Sequence, residues 1–386
     1  MDRKELVKSI LKYNHVLGQR IDWLEKMREI VKLEKKEEVK STNKKKIAIV
    51  YDVDGWAFHN IAKEIQKNLS GKYEIDIFAK SVFNHNVARL MFLTKKYDLI
   101  HVLWRGMFSE LDGEYLTSYI RSLGISKEEF IKRYIMPSNI TTSVYDHSFL
   151  NEEAIGITKA FIKYTKAYTV SSDKLKEIYN NLEIEKKPSM EITDGVDLNK
   201  FKPKNLERFK DKNKKIIYIG WVGNSKFTDS EQDEDLKGVR KIILPAIEEL
   251  QKEGYPIQKR FADRDEGYIP HDKMPDYYNS IDLYVCASKV EGTPNPILES
   301  MACGIPVIST DVGIVKEALG EKQQKYIMEE RTKQELKKKI KEFLDNPQDW
   351  NELSEENLTQ IKNWSWENKC KQFEEFFESN LKNNMK

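Results

Sequence analysis

Glu291-Gly-Thr-Pro-Asn-Pro-Ile-Leu-Glu-Ser-Met-Ala-Cys-Gly-Ile-Pro-Val-Ile-Ser-Thr310 carries two carboxylates eight positions apart, Glu291 and Glu299, around a tight Gly-Thr-Pro turn. Residues 295–303 are expected to form a helix, stopped by Gly304-Ile305-Pro306, and residues 307–310 the strand that follows. Such a turn aims backbone N–H groups and the positive end of a helix at one point, a ready place for phosphate. At 1.5 Å of rise per residue, Glu299 lies about one turn inside the helix. One carboxylate thus stands at the loop and the other deeper, which suits a ligand carrying both a diphosphate and sugar hydroxyls. Two solvated charges flanking an ordinary strand–helix unit are the plainer alternative.

The rest of the chain alternates strand and helix. Strands are expected at 46–51, 74–78, 99–103, 140–144, 167–170 and 190–192, separated by helical stretches, the first of them at about 57–69. A second series follows at 215–219, 256–261, 283–287 and 307–310, with a helix near 242–252 and another leading out of Met274-Pro-Asp-Tyr-Tyr. Alternation of this kind gives parallel sheets covered on both faces. The expected class is α/β, as two doubly wound Rossmann-like domains over 46–205 and 206–363. The lysine-rich tract 204–215 reads as the connection between them. Ligands of such sheets bind outside the carboxyl ends of the strands, so the site belongs in the cleft where the domains face each other.

At 386 residues the chain exceeds one typical domain. A hydrophobic share of 39% suffices for real cores, and a net charge of +2 argues against a dedicated nucleic-acid binder. No apolar run approaches the ~20 residues that cross a bilayer, and Met1-Asp-Arg-Lys-Glu lacks the apolar core of a signal peptide. Cys286, Cys303 and Cys370 are widely spaced in apolar or helical stretches, which disfavours a disulfide framework or a zinc site. A cytoplasmic protein is expected. Residues 1–45 hold thirteen Lys/Arg against eight Asp/Glu. Leu6, Ile10, Tyr13, Leu17, Leu24, Met27 and Val31 repeat at helical spacing there, an N-terminal helical extension that leaves self-association through residues 2–40 open. Its basic surface either leans on the anionic inner face of a membrane or is simply solvated.

The Glu-Gly-Thr-Pro-Asn run, the spacing to Glu299 and Met-Ala-Cys-Gly-Ile-Pro-Val-Ile resemble the retaining, nucleotide-sugar-dependent glycosyltransferases of family four, which have the GT-B fold. Asp194-Gly-Val-Asp197 resembles that family's Asn-Gly-Val-Asp signature, with Asp194 in place of Asn. The tail 364–386 resembles its last helix, which crosses back to the first domain. The resemblance implies that Glu291 contacts the donor sugar and Glu299 holds the nucleotide ribose hydroxyls. Lys237 of Lys237-Gly238 matches a lysine that faces the diphosphate. The arginine common after the first glycine of the second domain is replaced by Trp221. Either Lys226 substitutes for it, or the backbone of Gly223 and Asn224 carries the load. Thr293, Pro294 and Asn295 form the turn around the donor, and Tyr268 is a candidate for the base. His147, after the fourth strand, matches a histidine that bonds a donor-sugar hydroxyl, a partner suited to a neutral imidazole. Asp146 precedes it, so which of the two faces the sugar stays open. Asp54, Gly55, Trp56, His59 and Asn60 are candidates for the acceptor side, in a loop resembling a bacterial surface-glycan branch of the family. Asp52-Val-Asp54 also mimics the Asp-x-Asp metal motif of the other major transferase fold, but the two α/β units point to GT-B, which works without a bound metal or other cofactor.

These features imply transfer of a sugar, most readily from a UDP-sugar, to a hydroxyl of a cell-surface glycan or lipid-linked acceptor. The alternatives are a nucleotide-sugar epimerase of the same fold and an inactive transferase-like module that assembles through its N-terminal helix.

Overall fold

The computed structural model describes residues 44–226 and 235–381. The expected helix over residues 2–40, and the self-association and membrane contact tied to it, lie outside the described residues.

The first lobe runs β1 (Lys46–Tyr51), α1 (Ala57–Leu69), β2 (Glu74–Ala79), α2 (Val87–Thr94), β3 (Leu99–Val102), α3 (Glu114–Ser122), β4 (Ile140–Val144), α4 (Ile155–Tyr164), β5 (Ala167–Val170), α5 (Asp173–Asn181) and β6 (Met190–Glu191). Its six strands are all parallel, in the order β2-β1-β3-β4-β5-β6. Because helices cover both faces, strands such as β1 are apolar almost throughout, with Ile47 to Tyr51 buried in succession. The second lobe adds β7 (Ile217–Gly223), α6 (Leu244–Lys252), β8 (Ile257–Asp263), β9 (Leu283–Cys286), α7 (Asn295–Ala302), β10 (Val307–Thr310), β11 (Ile327–Met328), α8 (Lys333–Asp345) and α9 (Trp350–Gln360). Its five parallel strands are ordered β11-β10-β9-β7-β8. Two doubly wound parallel sheets facing a cleft are the class expected.

Two local expectations need correcting. The strand expected at 215–219 begins at Ile217 and continues to Gly223, because its parallel pairing with β8 runs from Ile217↔Ile257 to Gly223↔Asp263. The lysine-rich tract 204–215 is no free connection. Phe209 is buried in the second lobe's core, and Arg208 donates from Nη1 to Asn279 O at 2.6 Å and from Nη2 to Ile281 O at 3.0 Å. The chain passes between the lobes twice, and the two passages lie side by side as a short parallel bridge between Val196 and Ser365. Val196 N–H donates to Trp364 O at 2.8 Å, and Trp366 N–H to Val196 O at 3.2 Å.

After the second passage, α10 (Trp366–Leu381) returns to the first lobe. Trp366, Cys370, Phe373, Phe376 and Phe377 share a buried cluster with Ile47, Ile49, Ile61 and Ile65. Burial of each such side chain contributes about 1.5–3 kcal/mol, so this helix is held by apolar packing. Its exposed ion pairs to Lys72 add little beyond that.

Candidate active site between the lobes

A cavity of about 670 Å³ opens between the lobes, at the carboxyl ends of both sets of strands. Glu291, Glu299, Lys237, Gly223, Asn224, Thr293, Pro294, Asn295, Tyr268, Gly55 and Asn60 all line it. Their arrangement follows from two local structures.

The first is the loop between β9 and α7. Glu291 Oε1 accepts from Lys237 Nζ at 2.5 Å and from Ser288 Oγ at 2.8 Å. The carboxylate is therefore fixed by a cation and a hydroxyl, both of which also line the cavity. Lys237 reaches it because Gly238 turns the chain at φ +73°, where a Cβ would lie 2.4 Å from Ala287 O. The turn itself is drawn tighter than its sequence suggested. Asn295 N–H donates to Thr293 O and Ile297 N–H to Pro294 O, each at 2.9 Å, and Pro296 has no N–H to offer. The head of α7 thus presents its dipole more than a fan of open amides, and no side chain caps it.

The second is a chain of polar groups that runs from the cavity wall into the core of the second lobe. Tyr278 Oη donates to Glu299 Oε2 at 2.6 Å, and His271 Nε2 lies 3.1 Å from Glu299 Oε1. Lys200 Nζ donates to His271 Nδ1 at 2.6 Å, so the imidazole proton sits on Nε2 and faces the carboxylate. Burial lowers the Lys200 ammonium and, with Glu299 beside it, raises the Tyr278 phenol well above its ordinary range.

The remaining candidates take other roles. Lys226 is away from the cavity lining, 76% exposed at its side chain, with its ammonium 3.9 Å from Asp265. Trp221 lines the cavity but is only 1% exposed, and its N–H is accepted by Tyr277 Oη at 3.1 Å, which makes it a wall of the site and no substitute cation. His59 and Asp54 do not line the cavity. His59 stacks on Tyr51 with centroids 4.5 Å apart and accepts the Gly55 N–H at Nδ1, 2.7 Å, while Asp54 accepts from Tyr51 Oη at 2.7 Å. These contacts shape the loop that brings Gly55 to the cavity. Trp56 instead reaches across the cleft mouth to Arg264, 5.8 Å from ring centroid to guanidinium carbon.

His147 and Asp146 divide their tasks. Asp146 Oδ1 takes Arg105 Nη2 at 2.6 Å and Ser148 N–H at 2.8 Å, so it buttresses the loop. His147 is half-buried, and burial holds it below its usual pKa; the charge of Glu291 acts on it in the opposite sense. Its Nδ1 is buried without a hydrogen-bond partner, and the residue itself is not among those lining the cavity.

The lobes touch where the Glu291 loop meets the first domain. A Cβ on Gly292 would lie 1.8 Å from Tyr145 O. Asn295 Nδ2 donates to Asp194 Oδ2 at 3.1 Å, and burial pushes the Asp194 carboxyl up to about 7. Arg264, Lys200, His271 and Ser288 escaped the sequence reading: each is an ordinary residue type in an ordinary loop or helix, and only the fold brings it to the cavity, while Tyr278 is buried in the second lobe's core and meets Glu299 from there. Among the described residues one trio of carboxylates, Asp173, Glu191 and Glu317, gathers within 4.8 Å, away from the cavity lining. Burial and the neighbouring Asp173 push Glu191 up to about 8.

Two Rossmann-like lobes enclosing one site make this a GT-B protein. Residues 266–360, which hold both glutamates and the two residues bonded to Glu299, His271 and Tyr278, match the family described as glycosyl transferases group 1. The chain is 30% identical over 133 residues to TuaC of Bacillus subtilis strain 168, whose name assigns it provisionally as a teichuronic acid biosynthesis glycosyltransferase; the match covers 33% of this chain and 32% of TuaC. It is 31% identical over 103 residues to O-antigen chain mannosyltransferase B of Escherichia coli, 26% of each. The chain spans about a third or less of the curated relatives it matches. Among solved structures, HepE of Anabaena in complex with UDP aligns with 13% identity and a TM-score of 0.60, over 87% of this chain and 100% of that one. A glycosyltransferase from Rickettsia africae aligns with 16% identity and a TM-score of 0.61, over 89% and 100%. At these identities the structural matches establish the fold. No helix of the described residues is long and apolar enough to cross a membrane.

Proposed function

We propose that this protein is a retaining glycosyltransferase. It moves a sugar from a nucleoside-diphosphate sugar, UDP-linked by preference, to a hydroxyl of a bacterial surface glycan or its lipid-linked precursor. The carrying observation is the Lys237–Glu291–Ser288 cluster standing in the same interlobe cavity as the hydrogen-bonded pair Glu299 and His271. The UDP held by HepE and the glycan roles in the relatives' names favour the same reading.

In this reading Glu299 releases its two present partners to accept the ribose hydroxyls, and Glu291 orients the sugar. Lys237 and Arg264 face the diphosphate, supplying in place the positive charge that a departing phosphate needs. The bond from the anomeric carbon to phosphate oxygen breaks as the acceptor oxygen arrives on the same face, and the acceptor proton passes to the leaving phosphate. His147 contributes a neutral ring to a sugar hydroxyl, and no metal ion or cofactor enters. The test is UDP release from UDP-sugars by the purified chain, with and without glycan acceptors. Glu291→Gln should sharply slow release while UDP still binds; release at the wild-type rate would overturn the assignment.

A further inference from the structure

A second concavity, of about 310 Å³, lies in the first lobe and is separate from the cavity that holds the glutamates. Its walls are the heads of α2 and α3, with His85, Asn86, Glu110, Gly113, Glu114 and Tyr115 among its lining. Both helices begin beyond the carboxyl ends of β2 and β3, so this concavity opens at the ligand-binding end of the sheet that also presents Gly55 and Asn60.

Its chemistry is mixed in a particular way. Asn86 is 3% exposed, and its Oδ1 is turned back to accept the amides of Ala88 at 2.9 Å and Arg89 at 3.1 Å. That leaves Nδ2, on a residue that lines the concavity, buried and without a hydrogen-bond partner, a state that costs about 1–3 kcal/mol unless something accepts from it. Gly113, at the head of α3, brings no side chain to cap the first-turn amides. Opposite these donors stand two acceptors, the exposed Glu114 carboxylate and Glu110, whose Oε1 holds Lys80 Nζ at 2.7 Å. Tyr115 is 71% exposed on the rim, a flat apolar face with nothing in the fold to require its exposure. Donors, acceptors and an aromatic face converging on one space suit a ring whose hydroxyls both give and receive hydrogen bonds and whose C–H face is apolar. Two carboxylates disfavour an anion.

Resting on the proposed transferase function, we infer that this concavity is a distal saccharide subsite that grips a neutral sugar unit of the acceptor, away from the hydroxyl that reacts. A volume of about 310 Å³ sits at the lower end of the range for small-ligand pockets, enough for a single sugar unit.

Ligand-observed NMR tests it, with methyl α-D-mannoside, methyl α-D-glucoside and methyl N-acetyl-β-D-glucosaminide as neutral probes and methyl β-D-glucuronide as the anionic one. Saturating UDP occupies the main cavity throughout, and its own affinity is measured separately. At least one neutral glycoside should bind, and the glucuronide should not. Tyr115→Ala removes an exposed ring, and Asn86→Asp keeps the helix cap while replacing the Nδ2 donor with an oxygen. Each should weaken glycoside binding about fivefold or more and leave UDP affinity unchanged, and Tyr115→Ala, which removes only an exposed ring, should also leave the melting temperature unchanged. Equal glycoside binding by wild type and both variants, or no neutral glycoside binding to a protein that binds UDP, overturns the subsite. Absence of UDP binding would count against the proposed function instead, and glycoside binding that depends on Tyr115 would still establish the subsite.

Discussion

Asp194 is the residue whose substitution has the most calculable outcome. It sits buried where the lobes meet, accepts one hydrogen bond from Asn295 Nδ2, and has a second oxygen, Oδ1, without a partner. Burial raises its carboxyl from 3.8 to about 7, against the smaller opposing effects of Asn295 and the Lys369 charge. The unfolded chain therefore ionises near the ordinary value while the folded chain stays protonated. Stability contributed by the neutral acid is complete below about 3.8 and is lost as pH rises towards about 7. The shift is about three units, and at 1.36 kcal/mol per unit the loss reaches about 4 kcal/mol. The carboxamide of Asp194→Asn would mimic the protonated acid in charge and shape, keep an oxygen for Asn295, and carry no such loss. Urea unfolding of wild type and Asp194→Asn at pH 5, 6, 7 and 8 should show the variant more stable. Its advantage should grow by about 1 kcal/mol per unit up to pH 7 and then level off. A difference that stays constant across this series would refute the argument, because an isosteric packing effect has no reason to follow pH.

Glu291→Gln should lower turnover by about 10²–10³ while leaving UDP affinity within about threefold, read by UDP release and calorimetry. Glu299→Ala should weaken UDP binding at least about tenfold, because two hydrogen bonds to a charged acceptor are lost; unchanged affinity in calorimetry would remove Glu299 from the nucleotide site. Gly292→Ala should destabilise by about 1–3 kcal/mol in thermal or urea unfolding and depress turnover together, since its Cβ would meet Tyr145 O at 1.8 Å. Arg264→Ala should raise the KM for the UDP-sugar more than it lowers melting temperature, if its charge serves the diphosphate across from Trp56.

The order of strands and helices was legible because buried parallel strands write themselves as continuous apolar runs, as Ile47 to Val50 do, and Gly304-Ile305-Pro306 marks the end of a helix without ambiguity. β11 was missed: a strand of two residues, Ile327 and Met328, carries too little periodicity to register. The strand expected at 215–219 stops short of Trp221 because glycines stand at 220 and 223, yet the ladder to β8 runs through both. Residues carrying a local motif, such as Glu291, Glu299 and Lys237, could be placed at the cleft in advance, and all three line the cavity. Lys200, His271 and Tyr278 could not, because their meaning is a chain of contacts to Glu299 spanning up to 71 residues of sequence. His59 misled for the opposite reason: its imidazole looked available for a ligand, while stacking on Tyr51 and the Gly55 amide engage it in shaping its own loop.

The same few residues present the acidic pair and join the lobes. Gly292, next to Glu291, abuts Tyr145 O two positions before His147; Thr293 Oγ1 accepts from Asp194 N–H at 3.4 Å; Asn295, at the start of the helix carrying Glu299, donates to Asp194. Asp194 lies two residues from Val196, where the two interlobe passages pair. A change in the angle between the lobes therefore alters the distance from His147 to Glu291. By linkage, a ligand held by both residues favours the lobe angle that brings them together, with an advantage limited to its difference in affinity for the two arrangements. Ionising Asp194 opposes that angle by putting an unmatched charge at the joint. Turnover should then fall at alkaline pH in wild type and fall less in Asp194→Asn, although Asp194 is absent from the cavity lining. If the two pH–rate profiles superimpose above pH 7, the joint and the site are energetically separate and this coupling is wrong.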